Sequence, residues 1–153
     1  MNELPSRKAV LIGIGVGVIL LSVLIGVAVR TGPTRAAVRT YVALISAANQ
    51  QDVAAAERLC SRRYLANHQL SLAPDGGIVN LPRNIHKNFK VWRAGPHIWL
   101  CPTNRGGPVY QFITEGHDWV FDGPVGILHY NGVVEPLDDT GAAELPTNLP
   151  KPE

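Results

Sequence analysis

From Ala9 to Val29 the chain runs through twenty-one residues without a charged side chain, and only the Ser22 hydroxyl offers a side-chain hydrogen bond. A helix of that length rises about 31 Å at about 1.5 Å per residue, close to the roughly 30 Å hydrocarbon core of a bilayer. Arg7 and Lys8 precede the stretch and Arg30 follows it, where their heads can reach the interface. The reading is one transmembrane helix, 9–29, behind a short polar tail, 1–8. The bilayer is the first expected partner and the cell membrane the expected location.

A cleaved signal peptide is the alternative, since Gly26 and Ala28 are small residues of the kind a peptidase accepts. Cleavage would leave a secreted form. The apolar run exceeds the 7–15 residues usual for a signal core, which favours an uncleaved anchor. No lipobox cysteine follows it. The arginines at 30, 35 and 39 balance Arg7 and Lys8, so the positive-inside rule does not fix the orientation. The short N-terminal tail favours a C-terminal domain outside the cytoplasm. Gly13, Gly15 and Gly17 share the letters of a phosphate-binding loop, but no strand precedes them and hydrocarbon surrounds them. Gly13 and Gly17 are instead a small-residue pair that lets two helices approach, and Gly15, Ser22 and Gly26 fall together on one face. A homodimer through this face is one expected partnership; another membrane-associated protein is the other.

Beyond the span about one hundred residues remain before a polar tail, enough for a single domain with a core. The net charge is +2, and Arg30, Arg35, Arg39, Arg58, Arg62 and Arg63 hold much of the positive charge. Such a distribution suits a domain beside anionic headgroups, and equally suits solvated helix faces. Nucleic-acid binding would need a denser basic stripe interleaved with aromatics, so no nucleic-acid partner is expected. Two cysteines, Cys60 and Cys101, are too few for a disulfide scaffold and too far apart in sequence for a zinc site. They are available for one bridge in an oxidising compartment; otherwise each is a small buried apolar group.

Gly32-Pro33 is expected to interrupt any continuous helix, with Thr31 or Thr34 as the next cap. From there to Asn49, Val38, Tyr41, Val42, Ile45 and Ala48 recur at three and four, the pattern of an amphipathic helix. Asp52 is a good N-cap for a second helix over 53–59, and Ser61 for a short third over 62–67. Pro74-Asp75-Gly76-Gly77 is turn chemistry. Short runs rich in aromatic and β-branched residues follow at 89–93, 97–102, 109–115, 119–122 and 125–130, separated by Gly, Pro and Asn. These predict an antiparallel meander, and helices before a meander predict an α+β domain with the helices on one face of the sheet. After Glu135 the hydrophobic period is lost, and the Pro-rich residues 136–153 read as a disordered tail.

The helix pair TRAAVRTYVALISAANQQDVAAAERLCSRRYL, followed by a sheet containing VYQFITEGHDWVFDGPVGIL, resembles the NTF2-like (SnoaL-like, cystatin-like) superfamily. The AVxxYVxAL…DVxxAxxLxS rhythm is similar to its first two helices, and the second stretch to its late hairpin. The resemblance covers residues 33–130 of a domain expected to span 33–135. It implies a cone of two to three helices on a curved antiparallel sheet, with a pocket between the first helix and the concave face. It does not transmit an activity, because this fold serves dehydratases, isomerases, ligand-binding modules and anchored domains alike.

The cone implied by the resemblance would be lined by Tyr41, Ile45, His97, Trp99 and Phe112. Catalysis there needs a general acid or base inside the cavity and an electrophile opposite. His97 and Tyr41 are the weak candidates, as in a dehydratase or isomerase. Tyr41 is equally a core residue with a hydrogen bond at its rim. In a strand His97, Trp99 and Cys101 share one face and Ile98 and Leu100 the other, so His97 is a pocket base only if its face is the concave one. The carboxylates are badly placed: Asp52 caps a helix, Asp75 and Asp118 lie in turns, Asp122-Gly123-Pro124 reads as a strand-ending turn, and Glu115 adjoins a connection. Histidine spacing gives no metal set, no nucleophile motif is present, and no cofactor is implied. The expectation is a non-catalytic interaction or small-ligand-binding module at the membrane surface.

Overall fold

The computed structural model describes residues 32–84, 86, 88–102 and 106–137. The chain divides into two units, Met1–Pro33 and Thr34–Glu153; of the first only Gly32 and Pro33 are described, and the architecture below is that of the second. The predicted span 9–29, with its packing residues Gly13, Gly15, Gly17, Ser22 and Gly26, lies outside the described residues, as do 138–153 of the predicted tail. Among the described residues no helix is long and apolar enough to cross a membrane.

Residues 32–49 are helical (α1). Ala37, Tyr41, Leu44, Ile45 and Ala48 fall at steps of three and four and are all buried, the stripe of an amphipathic helix. That stripe differs from the predicted one by a row. Val42 is 38% exposed and Leu44 takes its place, because 41, 44, 45 and 48 share one side of a 3.6-residue turn and 42 does not. Gly32 and Pro33 are the first residues of the described helix, where proline's fixed φ near −65° is itself a helical value; the expected break with the preceding stretch lies outside the described residues. Thr34 Oγ1 is buried with no hydrogen-bond partner among the described residues, so Thr34 is not a cap.

The two shorter helices begin where their caps predict. In α2 (Val53–Arg58) the Asp52 carboxylate accepts the Ala55 N–H at 2.9 Å. In α3 (Arg62–Asn67) the Ser61 hydroxyl oxygen accepts the Tyr64 N–H at 2.9 Å. Each such cap stabilises by about 1 kcal/mol.

Five strands follow: β1 (Lys90–Ala94), β2 (His97–Cys101), β3 (Gly107–Glu115), β4 (Asp118–Leu128) and β5 (Val134–Pro136). They pair in sequence order, each antiparallel to the next. Two predictions are corrected here. The runs 119–122 and 125–130 are one eleven-residue strand, and a fifth strand lies where the tail was expected to begin. Three residues are too few for alternation to show, and Pro136 is tolerated at the end of an edge strand.

Asp122-Gly123-Pro124 does not end β4; it bulges it. Against β3 the register jumps from Gln111↔Gly123 to Phe112↔Phe121, and from Val109↔Gly126 to Tyr110↔Pro124, so Asp122 and Val125 are extra residues. Bulges bend a strand and increase its twist. Gly123 makes the first one possible: its φ is +104°, and a Cβ there would lie 2.9 Å from the Tyr64 ring. The result is a curled, half-barrel sheet with three helices packed on it, an α+β fold.

The outer edge of β4 is closed by the α2–α3 junction. Ser61 N–H donates to Phe121 O and Phe121 N–H to Leu59 O, both at 2.8 Å, a one-rung parallel bridge at Cys60. Alternation then sorts the sheet into two apolar sets. Ile98, Leu100, Phe112 and Phe121 pack with Tyr41, Leu44, Ile45, Ala56 and Tyr64 of the helices. Trp92, Trp99, Cys101, Val109, Val125 and Leu128 form a second cluster on the opposite face. Cys60 belongs to the first cluster and Cys101 to the second, and no disulfide joins them to each other.

Candidate functional site

The predicted pocket residues divide between the two faces. Ile45 and Phe112 are fully buried beneath the helices, with Tyr41 beside them. His97 and Trp99 are on the other side of the sheet, stacked on each other with ring centroids 5.9 Å apart. The sheet therefore lies between Tyr41 and His97, and the pairing required of a dehydratase or isomerase is not formed. His97 is half-buried, and its Nδ1 has no hydrogen-bond partner among the described residues.

Aromatic rings pack against one another across the helix-covered face. Tyr41 meets Phe89 edge-on at 5.7 Å and Tyr110 at 5.8 Å. Tyr110 meets Phe121 at 5.6 Å, and Phe121 meets both Phe112 and Tyr64 at 5.8 and 5.1 Å. What opens to the outside is a cleft of about 250 Å³ at one end, where Tyr41 and Tyr110 face Asn84, His86 and Pro108. The Tyr41 hydroxyl donates to the Asn84 carbonyl at 3.1 Å. Burial raises the Tyr41 phenol far above its ordinary range, helped by Tyr110 and Cys101. Burial, then Cys101, pushes Tyr110 up to about 12. Both phenols are thus neutral hydrogen-bonding groups at physiological pH, able to donate and unable to serve as bases. Arg83 at the rim is already paired with Asp75 at 2.5 Å.

The sequence places no carboxylate in mid-strand, but the structure does. Asp122 is buried in β4 and gathers four hydrogen bonds. It accepts from the Ser61 hydroxyl, from Arg63 twice and from Gln111 Nε2 at 2.9 Å. Gln111 in turn accepts the Trp99 indole N–H at 3.0 Å. A chain of polar groups thus runs from the first turn of α3 to the sheet face opposite the helices. Every oxygen of the carboxylate is engaged, which is what allows a charge to be buried at all. It joins α3 to the sheet. The bulge is the signal that betrays it, since Asp-Gly-Pro inside an apolar run fits a turn and a bulge equally well.

Beside this chain is a pocket of about 40 Å³ lined by Arg63, Tyr64, His68 and Asp122, about the size of one or two water molecules. His68 stacks on Tyr64 at 4.4 Å and its Nδ1 lies 3.2 Å from the Tyr64 carbonyl. Among the described residues no group of three His, Cys, Asp or Glu side chains is placed to hold a metal ion. Compared with known proteins, the chain matches no family model, no curated protein and no solved structure.

Proposed function

We propose that this chain is a single-pass membrane-anchored domain of the NTF2-like kind, working as a binding module at the membrane surface rather than as an enzyme. The observation that carries the reading is the filling of the cone. Its interior is closed by aromatic side chains, and the buried carboxylate is tied to Arg63, Ser61 and Gln111. What the domain offers a ligand is the cleft at Tyr41 and Tyr110, with neutral phenols, prolines, the Asn84 carbonyl, His86 and the Asp75-paired Arg83 around it. That surface suits a small, uncharged, partly aromatic group. The apolar run 9–29 supports the anchor, with only Thr31 and Gly32 between Arg30 and Pro33.

Two measurements test this. The full chain is expected to stay in the membrane pellet after carbonate extraction, at full length; release into the supernatant overturns the anchor. Ligand-observed NMR on the full chain in nanodiscs, with phenol as the probe, is expected to show saturation transfer that falls at least about twofold in Y110F, the loss of one neutral hydrogen bond worth about 1 kcal/mol. Transfer unchanged by that substitution removes the cleft from consideration.

A further inference from the structure

Arginines scattered in sequence converge on one side of this domain. Arg39 of α1 and Arg58 of α2 line a cleft of about 430 Å³, with Thr40, His117, Asp118 and Trp119. Arg58 and Arg62 line a second of about 560 Å³ with Glu115 and Asp118. The two share Arg58, Asp118 and Val120, so they form one trough between α1, the α2–α3 junction and the β3–β4 turn. Arg35, one turn before Arg39, lies on the same side of α1. Arg35, Arg39, Arg58 and Arg62 are all exposed. Two carboxylates, Glu115 and Asp118, face them. Glu115 touches Arg62 at 3.9 Å, whose side chain stays 96% exposed, and among the described residues neither Arg39 nor Arg58 has an ion-pair partner. The balance in the trough is positive.

We infer that this trough binds the anionic headgroups of the bilayer that the 9–29 stretch enters, so that the domain lies against the membrane on a defined side. The inference rests on the anchor proposed above, and two observations select the occupant. The first is charge: unpaired guanidinium groups recognise phosphate oxygens with two parallel hydrogen bonds, and each basic residue near an anionic surface strengthens attachment roughly fivefold. The second is reach. Arg39 lies ten residues after Val29, and ten such steps extend no further than about 36 Å. With the 9–29 stretch in a bilayer, Arg39 is tethered within that distance of the lipid surface, a proximity from which a soluble anion gains nothing.

The built-in reporter is Trp119, which lines the trough and is half-buried, while Trp92 and Trp99 are buried at 4% and 2% exposure in the opposite face. The full chain is reconstituted in vesicles of phosphatidylcholine, or of phosphatidylcholine with phosphatidylglycerol, each carrying a headgroup spin label that quenches tryptophan on contact. Expected is stronger quenching in the anionic vesicles, abolished by high salt and absent in W119F. The docked-to-undocked ratio is expected to fall roughly fivefold for each of R39Q and R58Q, and to rise in D118N. Near-UV circular dichroism from the buried tryptophans confirms that each variant is folded. Equal quenching in both vesicles, or quenching indifferent to R39Q/R58Q, overturns the inference. Flotation with both vesicles but equal quenching retains the anchor and removes the trough. Salt-sensitive flotation with anionic vesicles alone does the reverse. Flotation with neither removes both.

Discussion

The two faces of the sheet are held by different physics. Under the helices, rings and aliphatic side chains make up the packing, and the polar contacts sit at its margins: Tyr41 and Tyr64 donate to the Asn84 and Asn80 carbonyls, Thr40 donates to the Trp119 carbonyl, and the backbone of Phe121 pairs with the α2–α3 junction. The opposite face is also apolar, yet Trp99, Gln111 and Asp122 carry a continuous hydrogen-bonded chain beside it that ends on Ser61 and Arg63. The first face tolerates changes of shape poorly and, below about pH 9, changes of pH well. The second depends on every member of a network being present, since a half-satisfied buried network is worse than an apolar core.

Substitutions can break this contrast in order of expected size. Phe121→Ala removes the ring on which Tyr64, Tyr110 and Phe112 converge and is expected to cost about 3–5 kcal/mol in denaturant unfolding. Asp122→Ala should cost about 1–3 kcal/mol by leaving the buried Gln111 amide and Ser61 hydroxyl without this acceptor, while the Arg63 side chain, 39% exposed, stays solvated. The distinguishing result comes from the pair: D122A combined with R63M should recover part of the loss, because removing both partners of a hydrogen-bonded pair costs less than removing one. No second substitution of comparable kind should recover F121A. A D122A/R63M protein no more stable than D122A alone would show that the polar chain is not what holds α3 to the sheet.

A middle-sized test addresses the bulge. Gly123→Ala places a Cβ against the Tyr64 ring at a positive φ, and a loss of about 1–3 kcal/mol is expected from strain at such a position. Alkaline pH gives a further handle on the helix-covered face. Burial, then Glu57, pushes the Cys60 thiol from 9.0 to about 12, and Tyr110 rises from 10.0 to about 12. Below pH 9 folded and unfolded chains hold these protons alike. Between about pH 9 and 12 the unfolded chain releases them first, so stability should fall with rising pH across that window. A flat profile from pH 8 to 11 would show these groups to be wetter than their burial indicates. Asp52→Ala is the smallest, about 1 kcal/mol from a lost cap.

Much of this was legible in the residues. Asp52 and Ser61 announce their helices because a short side-chain acceptor before an apolar period has few other uses, and the α+β layering follows from the change of period near Leu70. Three things were not legible. Alternation separates His97, Trp99 and Cys101 from Ile98 and Leu100, but says nothing about which set meets the helices. Here both sets are buried, so hydrophobicity cannot decide either. Val42 looks as apolar as Leu44, and only the position of the sheet tells them apart. Asp122-Gly123-Pro124 has turn composition, and its role as a bulge depends on pairing with Gln111 and Phe112 on another strand.

The bulged strand also sets the shape of the domain by arithmetic. Nine residues of β3 are paired along their length with eleven of β4. Two rails of unequal length fastened at both ends must bow, and the mismatch fixes by how much. Tyr110, which lines the cleft with Tyr41, sits between the two register jumps. Deleting Asp122 would leave every other rung of the ladder able to pair and would flatten the curve, reshaping the cleft without altering one residue that lines it.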